Sequence, residues 1–236
     1  QHPRLPVSRC ISWRGRRAST MSDARNRILA RLHSAGIDEE PEAPVLPEQP
    51  AWDREERIRR FTERMQAVRA EVIRVSASEW PARLWQSCND RGLGSLLYGA
   101  NGPLASLLQS PVPSGMSTRL VAYDEPIEHW KEQMFFETDA AVTSTAGGIA
   151  ETGTLILWPG PQEPRLMSLV PPVHFAVIEA DRLYTTFDEA VRRGGWTDAM
   201  PTNALLISGP SKSADIEQTL AYGVHGPREL ICLLVD

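Results

Sequence analysis

Four short apolar runs most constrain the fold: 154–158 (Thr-Leu-Ile-Leu-Trp), 174–178 (His-Phe-Ala-Val-Ile), 204–208 (Ala-Leu-Leu-Ile-Ser) and 230–235 (Leu-Ile-Cys-Leu-Leu-Val). Each is the length of a strand and none alternates apolar with polar residues, so each reads as a strand covered on both faces. Such strands belong to parallel sheets with helices on either side. The first half of the chain carries the matching rhythm, with strands expected at 72–76, 95–98, 119–123 and 140–144. Helical spacing falls at 52–72, 80–91 and 127–137, and further helices are expected at 186–192 and 215–223. Alternation of this kind predicts one α/β domain over 51–236.

Ahead of it, Ile28, Leu29 and Leu32 in a charged background predict a short amphipathic helix with Ser22 or Asp23 as its cap. Residues 37–50 hold four prolines and five acids, a composition that resists helix and sheet and predicts a linker. Residues 21–50 are therefore expected to be an N-terminal arm. Residues 1–20, with five arginines and no acid, read as an upstream extension before Met21.

The net charge of −5 argues against general nucleic-acid binding, which needs clustered positive charge. No apolar stretch approaches the ~20 residues that span a bilayer. Cys10, Cys88 and Cys232 are scattered without a CxxC pair, so no disulfide framework or cysteine-held metal is indicated, and a reducing, cytoplasmic setting is expected.

Three loops could carry chemistry. In 146–154 (Ala-Gly-Gly-Ile-Ala-Glu-Thr-Gly-Thr), glycines permit close backbone approach while Glu151, Thr152, Gly153 and Thr154 offer an acid, two hydroxyls and a pliant turn. A plain polar turn explains the same residues. In 208–217, Ser208, Gly209, Ser211, Lys212 and Ser213 follow a strand and precede the helix expected at 215–223, a setting that presents amides, hydroxyls and a cation to a phosphate or carboxylate. Ordinary helix capping, with Asp215 and Glu217 on the dipole, competes with that reading. In 222–227, glycines flank His225, which could carry a proton or simply be hydrogen-bonded in a turn. The chain has neither a Walker A loop nor a GxGxxG fingerprint nor a GxSxG elbow, and no His/Asp/Glu spacing suggests a metal.

Taken in order, 145–154, 169–174 (Leu-Val-Pro-Pro-Val-His), 208–217 and 223–227 resemble the LUD-domain family, in particular its lactate utilization protein C (LutC) branch. The resemblance covers about 62–236 and leaves the arm outside. It implies a Rossmann-like layered sheet similar to the NagB/RpiA/CoA-transferase superfamily. It also implies a part in oxidising L-lactate to pyruvate beside iron–sulfur partner proteins, with no cofactor evident in this chain. On that reading Ser208, Gly209, Ser211, Lys212 and Ser213 hold a small anionic ligand, Thr152, Gly153 and Thr154 line it, and Glu151 and His225 are the candidate catalytic groups. Two other readings remain open. One is a self-sufficient enzyme of the isomerase, CoA-transferase or folate cyclo-ligase type, with Glu151 as nucleophile. The other is an assembly subunit whose arm docks on partners.

Overall fold

The computed structural model describes residues 17–34, 50–109, 115–196, 198–214 and 220–236, apart from the side chains of 17–22, 214 and 220. The chain divides into two units, Gln1–Glu48 and Gln49–Asp236.

The first unit contains helix α1 (Arg17–Ser34). It starts before Met21, so the expected boundary after residue 20 and the cap at Ser22 or Asp23 both fall inside a continuous helix. Ile28, Leu29 and Leu32 share one stripe and are exposed. The expected linker lies almost wholly outside the described residues.

The second unit opens with α2 (Arg54–Ala67), whose N-cap Asp53 accepts the Glu56 amide at 2.8 Å. Ile58, Phe61 and Met65 recur at helical spacing and are buried. Removing each from water contributes about 1.5–3 kcal/mol. There follow β1 (Glu71–Val75), α3 (Trp80–Asp90), β2 (Ser95–Gly99), α4 (Ala105–Leu108) and β3 (Arg119–Tyr123). After a 3-10 turn at Ile127–His129 come α5 (Lys131–Phe136), β4 (Ala140–Ser144), β5 (Gly147–Ile149), β6 (Thr154–Leu157) and α6 (Leu166–Leu169). The chain ends with β7 (Val173–Glu179), β8 (Leu183–Tyr184), α7 (Phe187–Arg193), β9 (Leu205–Ile207), β10 (Lys212–Ala214), β11 (Leu220–Tyr222) and β12 (Glu229–Val235).

Six strands form a parallel sheet in the order β1-β12-β7-β4-β2-β3. On one face Phe175, Val177, Ile231 and Leu233 pack against Trp80, Leu84 and Trp85 of α3. On the other, Ala176, Ile178, Leu230, Cys232 and Leu234 pack against Phe61 and Met65 of α2 and Leu155 and Leu157 of β6. Both faces are thus covered, as the apolar runs at 174–178 and 230–235 require. Cys88 and Cys232 are fully buried, and burial pushes each thiol up to about 12, which leaves them as inert core residues.

Three expectations are corrected. The runs at 154–158 and 204–208 are not in the parallel sheet: β6 and β9 pair antiparallel within a smaller sheet, β8-β5-β6-β9. That sheet lies against the α2 face, where β6 is as buried as a parallel strand, whereas β9 is only partly buried and leaves Leu206 exposed, so the run at 204–208 is not covered on both faces as expected. The glycine-rich segment at 147–149 is itself a strand, paired with β6 as a hairpin. Its glycines serve packing, since a Cβ on Gly148 would sit 2.7 Å from the Ile178 Cδ1. Finally, the loop at 208–211 leads into β10, and Leu220–Tyr222, expected to be helical, is strand β11 paired antiparallel with it. Residues 215–219, including Asp215 and Glu217, lie outside the described residues.

Candidate functional site

The three loops chosen from the sequence rest on the C-terminal end of α2. Gly153, in the left-handed region at φ 63°, lies over Arg64, and a Cβ there would come within 2.3 Å of the Arg64 Cβ. Gly209, at φ 137°, lies over Val68 in the same way, with 2.8 Å to its Cγ2. The Arg69 guanidinium stacks 4.6 Å from the Tyr222 ring centroid.

The loops are also bonded to one another. Thr154 Oγ1 is 2.7 Å from both Thr152 Oγ1 and Ser208 Oγ, so a chain of hydroxyls joins the first loop to the second. The Ser211 amide donates to the Pro227 carbonyl at 2.8 Å, and the Gly223 amide donates to the Ser211 carbonyl at 3.0 Å, joining the second loop to the third.

Beneath the second and third loops is a cavity of about 140 Å³ lined by Ser168, His174, Gly209, Ser211, His225, Gly226 and neighbouring apolar residues. No carboxylate among the described residues lines it. His174 is 1% exposed, with its Nε2 2.9 Å from the Thr143 hydroxyl and no partner for Nδ1 among the described residues. Burial lowers its pKa to about 4, so the ring is neutral near pH 7 and acts as a hydrogen-bonding group rather than a counter-charge.

The sequence-derived residues therefore separate into groups. Gly209, Ser211 and His225 meet at the cavity. Thr152, Thr154 and Ser208 form the hydroxyl chain that braces it, and Gly153 seats the first loop on α2. Lys212 and Ser213 lie on β10, where Lys212 is exposed. Glu151 is exposed and is not among the cavity's lining residues. The setting also differs from expectation. His174 and Leu230 are the second residues of β7 and β12, so the cavity sits at the amino edge of the parallel sheet. The carboxyl end of β9 is no guide to that sheet, because β9 belongs to the smaller one.

At the opposite edge, where ligands of open α/β sheets usually bind, the chain steps outward from β2 to β3 and returns on the other side of β2 to form β4. Glu163 stands at this reversal. Its Oε2 accepts the Ser144 amide at 3.0 Å and the Ser144 hydroxyl at 2.6 Å, and burial raises its pKa above the ordinary carboxylate value against the pull of these bonds. The segment carrying it presses on the loop after β2: a Cβ on Gly99 would lie 2.2 Å from the Gln162 carbonyl oxygen. Sequence reading missed Glu163 because it sits among prolines with no periodic element or motif around it. His174, weighed only as an ambiguous histidine, had as its one signal a polar residue opening an apolar strand.

Among the described residues, no group of three or more His, Cys, Asp and Glu side chains could hold a metal ion, and no helix is long and apolar enough to cross a membrane.

A layered, six-stranded parallel α/β domain with a side sheet and glycine-seated loops is the class that this architecture defines. The chain belongs to the LUD domain family, whose signature matches residues 58–235, and to its LutC-like branch. It is 37% identical over 229 residues to an uncharacterised protein of Neisseria meningitidis serogroup B, spanning 90% of this chain and 93% of that one. It is 29% identical over 217 residues to lactate utilization protein C of Deinococcus radiodurans, spanning 91% and 96% of the two chains. A crystal structure of a DUF162 family protein from Deinococcus radiodurans shares the fold, with a TM-score of 0.58 and 24% identity over 79% of this chain and 100% of that one.

Proposed function

We propose that this protein is a LutC-type, non-redox component of L-lactate oxidation to pyruvate. It works in the cytoplasm beside iron–sulfur partner proteins, and its fold is of the NagB/RpiA/CoA-transferase kind. Its ligand is a small 2-hydroxy or 2-oxo acid held in the amino-edge cavity. The observation that carries this reading is the lining of that cavity: two imidazoles, two serine hydroxyls and glycine backbone, with no carboxylate among the described lining residues to repel an anion.

Size supports it. A cavity of roughly 150 Å³ accommodates a molecule the size of benzene, which has as many non-hydrogen atoms as lactate, and this one measures about 140 Å³. Within it Ser211 and neutral His174 offer hydrogen bonds to the ligand oxygens, and His225 at the mouth carries the exchangeable proton. Lys212, next in sequence to Ser211, contributes positive potential.

Calorimetric titration of the full chain with L-lactate and with pyruvate tests the site. At least one should bind, and Ser211→Leu, which fills the cavity, should abolish the heat while leaving the fold intact. Equal binding by the variant rejects the assignment. The process is tested separately: deleting the gene should stop growth on L-lactate as sole carbon source, and normal growth would count against it.

A further inference from the structure

The carboxyl edge of the parallel sheet carries hollows that the lactate reading leaves unused. One, of about 560 Å³, runs from α3 to the end of β12, with Trp80, Leu104, Leu107 and Val177 among its walls. A second, of about 280 Å³, lies between Trp158 and Glu163. Both have Pro103 and Ser144 as walls. They therefore meet at the point where the strand order reverses.

Charge decides what such a cleft can take. The arginines along it are committed: Arg182 to Glu179 at 2.9 Å, Arg54 to Asp181 at 2.7 Å and to Asp236 at 3.0 Å, and Arg74 to Asp236 and to Glu55, each at 2.7 Å. No cation pairs with Glu163, whose partners among the described residues are the Ser144 amide and hydroxyl on one oxygen. Its Oε1 is left facing Gly102, where a Cβ would come within 3.1 Å. A half-buried carboxylate without a counter-charge is costly, and the cost is recovered when a positive group or an N–H donor occupies the space beside it. An anion placed there would meet that carboxylate, because the nearest uncommitted arginine, Arg165, lines another small hollow with Thr143 and Ser168 and is a wall of neither of these two.

We propose that this cleft is a second ligand site and that it takes a neutral or cationic flat ring bearing N–H groups. The amine edge is received by Glu163, and the ring body lies against Trp80, Leu104 and Leu107. The site stands apart from the small-anion cavity at the other edge of the sheet, and it prefers the opposite charge. Its dimensions fall in the range of ordinary small-molecule sites, roughly 300–1,000 Å³.

The probe is proflavine, a planar cationic diamine followed by its fluorescence, with the anionic dye 1-anilinonaphthalene-8-sulfonate as a control of similar size. The full chain should bind proflavine at least tenfold more tightly than the anionic dye. Glu163→Gln, which keeps shape but removes charge, should weaken proflavine at least tenfold. Leu107→Arg, at a half-exposed wall position and therefore compatible with folding, should weaken proflavine similarly and improve the anionic dye. Binding of L-lactate or pyruvate should be unmoved by either change, and Ser211→Leu should leave proflavine unmoved, so the two sites stand or fall separately. Equal proflavine affinity in wild type and both variants, or tighter binding of the anionic dye to wild type, overturns the proposal.

Discussion

Acid should destabilise this protein through His174 before its carboxylates titrate. The unfolded chain takes up a proton on this ring below its ordinary value of 6.5, whereas the folded chain refuses it down to about 4, because the ring is fully buried. Between those values acid favours the unfolded state, so stability rises with pH across the window and is complete above it. One pKa unit corresponds to about 1.4 kcal/mol, and taking the protein from pH 7.5 to 5 should therefore cost about 2 kcal/mol through this residue alone. For a domain of this size that is a fall in Tm of roughly 4–8 °C. Glu163 opposes the trend: its folded pKa is raised, so it adds stability as pH falls toward the ordinary carboxylate value. Carboxylates held low by arginine partners, such as Glu56 at about 2, act only in more acid solution. Urea unfolding of wild type and His174→Gln at several pH values between 7.5 and 5 isolates the imidazole, since every other group is common to both. The wild type should lose about 2 kcal/mol more than the variant over this range. Parallel pH profiles would refute the reasoning, as would an NMR titration that finds His174 protonated near pH 6.

Two further outcomes follow from the loop geometry. Thr154→Val keeps the buried shape but cuts the hydroxyl chain to Thr152 and Ser208, and should cost about 1 kcal/mol in urea unfolding; an unchanged midpoint would show that the chain is idle. Gly99→Ala drives a methyl into the Gln162 carbonyl, so it should cost about 1–3 kcal/mol and shift the amide resonances of Gly160, Gln162 and Glu163, whereas a variant of wild-type stability would mean that this segment yields freely.

The parallel sheet was legible because its strands are apolar on both faces and its helices carry a stripe, as at Ile58, Phe61 and Met65. What sequence could not convey was which apolar run joins which sheet. Thr154–Leu157 is as buried as Val173–Glu179, and only pairing separates them. Glycines misled for a related reason. Gly147 and Gly148 suggest a loop because glycine is depleted from strands, yet here they let two layers approach closely. The candidate site was half legible. Ser211 and His225 come from motifs that a reader can see, but His174 and Glu163 become notable only once the fold shows them buried with Thr143 and Ser144 as partners.

The seating of three loops on the last turn of α2 also bears on how the protein reaches its native state. Arg64 with Gly153, Val68 with Gly209, and Arg69 with Tyr222 are contacts between segments far apart in the chain. Such closures are slow because the entropy of a long loop is lost before any contact rewards it. The cavity is thus built late, and a nascent chain still lacking its final strand has neither Leu230 to line the cavity nor the β12 residues against which α2 packs. Ligand competence should appear only in the slowest refolding phase, after most of the helical signal has already returned.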